Sequence, residues 1–177
     1  MIGWSCEQTV SRWSATGDTA HMELAADLTA RCAPADLFAW IDDLERYPQW
    51  MGLVHRAERL PPDAAAGDEQ RPRWDVELRA RVGPFARSKR LIMARTRCDT
   101  DAAVVFERAE VDGRKHSMWR LSATITPSAE TGGSTQLRML LHYGGSLWTG
   151  GIVERVLHDE INRSRDRLLS LVDATTP

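Results

Sequence analysis

Residues 148–172 read WTGGIVERVLHDEINRSRDRLLSLV, and the fold follows from how that stretch has to be buried. Projected at about 100° per residue, Val153, Leu157, Ile161, Leu168 and Leu171 share one stripe of a helix. Arg155, Asp159, Asn162, Arg163 and Asp166 lie opposite. Ser164 interrupts the stripe between Ile161 and Leu168, and Glu160 flanks it, where it is expected to reach solvent. Gly144, Gly145, Gly150 and Gly151 supply a hinge ahead of the helix, and Ser146 or Thr149 is placed to cap its first turn. At about 1.5 Å rise per residue the helix spans roughly 30–35 Å and needs a broad apolar surface to lie on. The strand-rich middle of the chain is where such a surface can form.

That middle reads by alternation. Residues 73–82 are the clearest strand: Trp74, Val76, Leu78, Ala80 and Val82 point one way, and Asp75, Glu77, Arg79 and Arg81 the other. Gly83-Pro84 turns the chain into a partner strand over residues 85–97. Residues 104–111 follow, then an Asp112-Gly113 hairpin signal, and residues 116–126 put Trp119, Leu121, Ala123 and Ile125 inward. The last strand, residues 136–143, sets Leu137, Met139, Leu141 and Tyr143 against Arg138 and His142. Further back, residues 21–30 alternate as a first strand, with Met22, Leu24, Ala26 and Leu28 on one face, and residues 53–60 form another. Between those two, Pro34 suits the first turn of a helix. Leu37, Phe38, Ile41 and Leu44 keep helical spacing until Tyr47-Pro48 breaks it. Residues 61–71 read as a loop, and residues 1–18, with Trp4 and Trp13, as a strand or packed arm. The order is strand, two short helices, a run of antiparallel strands and one long helix. Consecutive strands with short turns make a meander, so the class is α+β: a curved antiparallel sheet with a long C-terminal helix covering its apolar face.

Composition agrees. A chain of 177 residues, 42% hydrophobic and 27% charged, is expected to form one domain with a real core and no need of disulfides or metal. No run approaches a membrane span, and no signal peptide is visible in residues 1–16. Cys6, Cys32 and Cys98 are odd in number and widely spaced, which suits free thiols in a reducing compartment; cytoplasm is the expectation. His21, His55, His116, His142 and His158 are scattered without metal-ligand spacing and are expected to be solvated. No phosphate-cradling, dinucleotide or nucleophile-elbow motif occurs, so no metal and no cofactor are expected. The net charge of −2 is uneven: nine Lys/Arg lie between Arg71 and Arg97 against Asp75 and Glu77 alone. Arg79, Arg81, Arg87 and Lys89 are placed on or near the outward side of one hairpin, matched by acids such as Glu107 and Glu110 on neighbouring strands.

Ala33-Pro34, the helix through Phe38 and then Asp43-Leu44-Glu45-Arg46-Tyr47-Pro48-Gln49-Trp50 resemble the opening of the START-like, polyketide cyclase/dehydrase (SRPBCC) superfamily. The resemblance runs from about residue 20 to residue 173 and leaves residues 1–18 outside. It implies a helix-grip fold, a sheet wrapped round the last helix enclosing a cavity for a hydrophobic ligand. Members include aromatase/cyclases, lipid and quinone carriers, hormone receptors and cochaperone activators. No catalytic motif of the superfamily carries across residue by residue.

The inward positions then name a candidate site. Its wall is Trp50, Trp74, Val76, Leu78, Trp119, Leu121, Leu137, Met139, Leu141 and Tyr143, closed by Leu157, Ile161, Ser164 and Leu168 of the helix. These aromatics are either plain core or the wall of a pocket of roughly 300–1,000 Å³. Tyr143 is read as the one inward phenol, a donor to a ligand carbonyl or an acid in cyclisation or dehydration. Ser164 is either a small residue allowing close helix–sheet contact or a hydroxyl facing ligand. The expected partner is a hydrophobic small molecule (polyketide, lipid or quinone-like), bound by a cyclase-like enzyme or by a carrier. The alternative is a protein- or ribosome-interaction module using the basic hairpin face, which also offers contact with an anionic membrane surface. No specific nucleic acid is expected.

Overall fold

The structure is a computed structural model. It describes residues 11–15, 20–62, 71–82, 85–110, 112–128, 133–144 and 151–175, without side chains at 11–15, 20–22, 80–82, 85–87, 151–158 and 175. Residues 1–10, most of the 61–71 loop, the Gly83-Pro84 turn and the capping candidates Ser146 and Thr149 lie outside that description. So do the side chains of Trp13, Arg81, Arg87, Val153, Leu157 and His158.

Among the described residues eight strands make one antiparallel sheet: β1 (Ser11–Ala15), β2 (Ala20–Ala30), β3 (Val54–Arg59), β4 (Arg73–Val82), β5 (Phe85–Asp99), β6 (Ala103–Arg108), β7 (Trp119–Pro127) and β8 (Thr135–Gly144). Their order is β1-β2-β8-β7-β6-β5-β4-β3. Strands β3 to β8 are the expected meander. The pairing of β2 with β8, from His21↔Gly144 to Ala30↔Thr135, joins the two ends of the chain. Residues 11–15, part of the ambiguous arm, form the edge strand beside β2. Register shifts between Val54 and Arg56 in β3, and between Arg95 and Arg97 in β5, put an extra residue on one side of the ladder and bend the sheet. The sheet curls around α2 (Gly151–Thr175), which crosses its concave face. This is the helix-grip α+β fold.

The expected helix after Pro34 divides in two. α1 (Pro34–Ile41) starts on Ala33, whose N–H donates to Asp36 Oδ2 at 3.3 Å, and stops at Ile41. Asp43 is extended and its carboxylate accepts from the Glu45 N–H at 3.0 Å, capping a separate 3₁₀ helix, Leu44–Gln49, that carries Tyr47-Pro48. Leu44 therefore belongs to a second element. The Asp42-Asp43 pair breaks the helix before proline does, because Asp43 bonds its own downstream backbone. Tyr47 is fully buried and donates to the Ile41 carbonyl at 3.0 Å, tying the two short helices together.

The core lies under these helices. Phe106 of β6 meets Trp74 edge-on at 5.5 Å and Tyr47 at 6.2 Å, and all three are completely buried. The hairpin expected at Asp112-Gly113 does turn there, with Gly113 at φ 74. The ladder nevertheless stops at Glu107↔Arg120. Arg108 accounts for the gap: it binds Glu110 at 2.5 Å, the Ser117 carbonyl at 3.2 Å and His116 Nδ1 at 3.0 Å, and these bonds hold the segment out of the sheet. His116 is consequently no solvated surface group; it is bonded to Asp112 at 2.7 Å as well.

Candidate functional site

Alternation along the curled strands sends one set of side chains to the concave face, and α2 crosses over them. The two surfaces do not meet everywhere. A cavity of about 150 Å³ remains between them, bounded by the sheet, α2 and the 3₁₀ helix with the segment following it. It is smaller than the range expected from sequence, because Trp119, Tyr143, Leu78 and Leu121 fill part of the curl. It is not packed solid.

Most of the expected wall borders this space. Trp50, Val76, Leu78, Trp119, Leu121, Leu137, Met139, Leu141 and Tyr143 line it, with Ile161, Ser164 and Leu168 facing them from the helix. Trp74 does not. Its indole lies beyond the cavity wall, donates to Asp43 Oδ1 at 2.9 Å and stacks under Arg59 (5.6 Å), so Trp74 is core. On the helix the buried stripe runs Ser164, Leu168 and Val172; Leu171, one residue off the i, i+4 line, is half-buried.

Several lining residues escaped the sequence reading. Leu91 and Met93 alternate with Ile92 in β5 and were legible as an inward pair. Tyr47 also lines the cavity, so Tyr143 is not the one inward phenol; its reading as a helix breaker hid that role. Arg165 had no sequence signal, since a charged residue beside Ser164 reads as solvated. It borders the cavity nonetheless. Lys89 corrects the expectation of an outward basic side chain. Its cross-strand partner is Leu78, partners across a ladder share a face, and Leu78 faces inward. Lys89 Nζ accordingly lies 5.6 Å from the ring centre of Trp119 and 5.2 Å from that of Tyr143, with the rings edge-on to each other at 5.0 Å. Burial, and then the neighbouring Arg108, lower the Lys89 pKa from the ordinary lysine value.

Three buried polar atoms at this site have no hydrogen-bond partner among the described residues: Trp119 Nε1, Ser164 Oγ and Arg165 Nε. Ser164 is 5% exposed. Such atoms are rare in folded proteins, because each forfeits its hydration without a replacement bond. Among the described residues no cluster of His, Cys, Asp or Glu has the makings of a metal site.

Among the described residues, basic groups on the outward face of the β4–β5 hairpin and the adjoining β3 are matched, though not by the expected acids. Arg90 and Arg56 pair with Asp75, Arg56 also with Glu58 at 2.8 Å, and Arg79 with Glu77 at 3.9 Å. Glu107 and Glu110 instead hold Arg120 and Arg108. His142 sits 3.5 Å from Glu23 on the outward side of β8. Cys32 is buried and Cys98 exposed, both as free thiols. No described helix is long and apolar enough to cross a membrane.

One side of the cavity is held by a polar clasp. Glu160, expected in solvent, is 13% exposed and pairs with Arg163 at 2.9 Å and Arg167 at 3.2 Å. Arg167 also donates to the Trp50 carbonyl at 3.4 Å, and a Cβ at Gly52 would collide with Glu160 Oε1. Arg167→Met is expected to cost the whole fold no more than about 1 kcal/mol, since Arg167 is 45% exposed and Glu160 keeps Arg163 as a partner. It should speed amide exchange at Trp50 to Val54, measured by hydrogen exchange with mass detection. Unchanged exchange there would mean that the clasp holds nothing.

The chain is similar to known proteins in fold far more than in sequence. The family described as polyketide cyclase/dehydrase and lipid transport matches residues 32–169, from the end of β2 into the last turns of α2. No curated protein matches the sequence. Among solved structures, a START superfamily protein from Mycobacterium smegmatis is 18% identical with a TM-score of 0.60, over 87% of this chain and 99% of that one. A protein from Thermus thermophilus is 17% identical with a TM-score of 0.63, over 88% and 99%. An aromatase/cyclase from Streptomyces sp. R1128 is 10% identical with a TM-score of 0.58, over 86% and 94%. At such identities the likeness is one of fold, and it extends over nearly the whole of each neighbour.

Proposed function

Because the chain belongs to the polyketide cyclase/dehydrase and lipid transport family, we propose that its cavity binds a small, predominantly apolar molecule. The observation that supports this most directly is the space itself: about 150 Å³ left open between the sheet and α2, bordered mainly by aliphatic and aromatic side chains. An apolar void of that size costs packing energy unless something fills it, and is large enough to hold an aromatic ring. The 14-residue wall read from the sequence is proposed as the ligand-binding surface in twelve of its members, without Trp74 and with Leu157 left aside.

Binding alone makes the protein a carrier or receptor. Turnover resembling cyclisation or dehydration requires an acid or base beside the bound molecule, and Tyr143, a lining phenol beneath Lys89, is the residue proposed for it. The competing interaction-module reading needs a surplus of unmatched basic charge on the hairpin. Arg79 and Arg90 of that hairpin and Arg56 of the adjoining β3 each have a carboxylate partner, which favours the cavity.

Purified protein sprayed from a non-denaturing buffer is expected to carry an added mass of a lipophilic compound, lost on organic extraction. The extracted protein should then bind naphthalene or a fluorescent apolar probe with one-to-one stoichiometry. Absence of both would overturn the proposal.

A further inference from the structure

The buried polar atoms at the cavity that lack a described partner can all donate hydrogen bonds. Trp119 Nε1 and Arg165 Nε can only donate hydrogen bonds, and Ser164 Oγ can donate one; none has a partner among the described residues. Lys89, stacked over the rings of Trp119 and Tyr143, adds a second inward cation. Among the described residues neither Lys89 nor Arg165 has a carboxylate within ion-pair distance. Asp27 is the one acidic residue among those lining the space, and its carboxylate is directed to Arg138 at 4.0 Å, on a residue of the outward face of β8.

Arg165, Lys89 and the Trp119 N–H, with no described carboxylate within ion-pair distance of either cation, describe half of a recognition site. Arg165 is half-buried with its Nε–H unpartnered, and an anion with several lone pairs answers both that N–H and the positive charge. An amine brings more positive charge, and an alcohol or a ketone accepts from the donors without answering the charge of the two cations. The lowered Lys89 pKa has the same origin, a cation held where water is scarce.

We propose that the occupant is amphipathic, with an aromatic or alicyclic body in the apolar part of the cavity and a carboxylate held by Arg165, Trp119 Nε1 and Ser164, with Lys89 as the nearby counter-charge. The inference rests on the cavity being a ligand site, and it assigns the polar end of the ligand.

Three probes with one body and different ends separate the possibilities: naphthalene, 2-naphthoate and 2-naphthylmethylammonium, each titrated into the extracted full-length protein by intrinsic fluorescence and calorimetry. 2-Naphthoate is expected to bind at least about tenfold more tightly than either of the others, the scale of one or two charge-assisted hydrogen bonds. Arg165→Met is expected to reduce the preference for 2-naphthoate over naphthalene, taken as the ratio of their affinities, by about tenfold. Naphthalene binding as tightly as 2-naphthoate, or a preference for the ammonium, would overturn the assignment of the polar end and leave the apolar site standing. Failure of all three probes would overturn the site itself and this inference with it. Should Arg165→Met fail to fold, the comparison of the three probes on the unaltered protein decides the matter alone.

Discussion

Truncating Trp74 to alanine is expected to destabilise the fold by about 3–5 kcal/mol, the usual cost of emptying a fully buried aromatic site. The indole is 0% exposed, meets Phe106 edge-on at 5.5 Å and donates to Asp43 Oδ1 at 2.9 Å. Asp43 simultaneously caps the 3₁₀ helix, so the truncation loosens the element that closes one end of the cavity. A domain of this kind has about 5–15 kcal/mol of total stability, so the variant stands near the threshold of unfolding. Trp74→Phe separates the two contributions: it keeps most of the volume and removes the N–H, and should cost about 1–2 kcal/mol. Urea denaturation of both variants at a common slope gives the answer. A loss below about 1 kcal/mol for Trp74→Ala would show that the site collapses freely and that Trp74 is no keystone of the core.

Ser164→Leu is expected to do the opposite to stability and the most to binding. The hydroxyl is buried without a described partner and faces open space. Replacing it with an apolar side chain removes an unmet polar group and fills part of the void. Stability should hold steady or rise by about 1–2 kcal/mol, within what cavity filling commonly yields. Affinity for an apolar probe should fall at least about tenfold, equivalent to about 1.4 kcal/mol, because the new side chain occupies the probe's place. The result that sinks this expectation is a stability loss of about 1–3 kcal/mol with probe binding unchanged, the pattern of an overpacked helix–sheet contact.

Much of the site could be read before any coordinates. Period-two alternation placed Val76, Leu78, Leu121, Leu137, Met139 and Leu141 on one face, and the helical period placed Ile161, Ser164 and Leu168 on another; all nine border the cavity. What periodicity reports is which side chains share a face. It is silent on which faces approach each other closely, so Trp74 and Val76, neighbours on the inward side of β4, read alike although only Val76 lines the space. Lys89 was misplaced for a related reason. Its side follows from the register Leu78↔Lys89, and charge alone argued for the surface.

By itself, then, the sequence determined the order of elements, the antiparallel meander, the inward residues of most strands and the need of the last helix for a sheet to cover. Local backbone sterics and the two periods are encoded over a few residues, which is why they are legible in one chain. The tertiary structure alone decided that β2 pairs with β8, which brings residues 21–30 against 135–144. It also decided that the helix buries Val172 more deeply than Leu171, and that the gap beneath it is about 150 Å³. Those outcomes depend on the curl of the sheet, the bulges in β3 and β5 and the depth at which α2 comes to rest, each a balance among side chains remote in sequence, which no local pattern records.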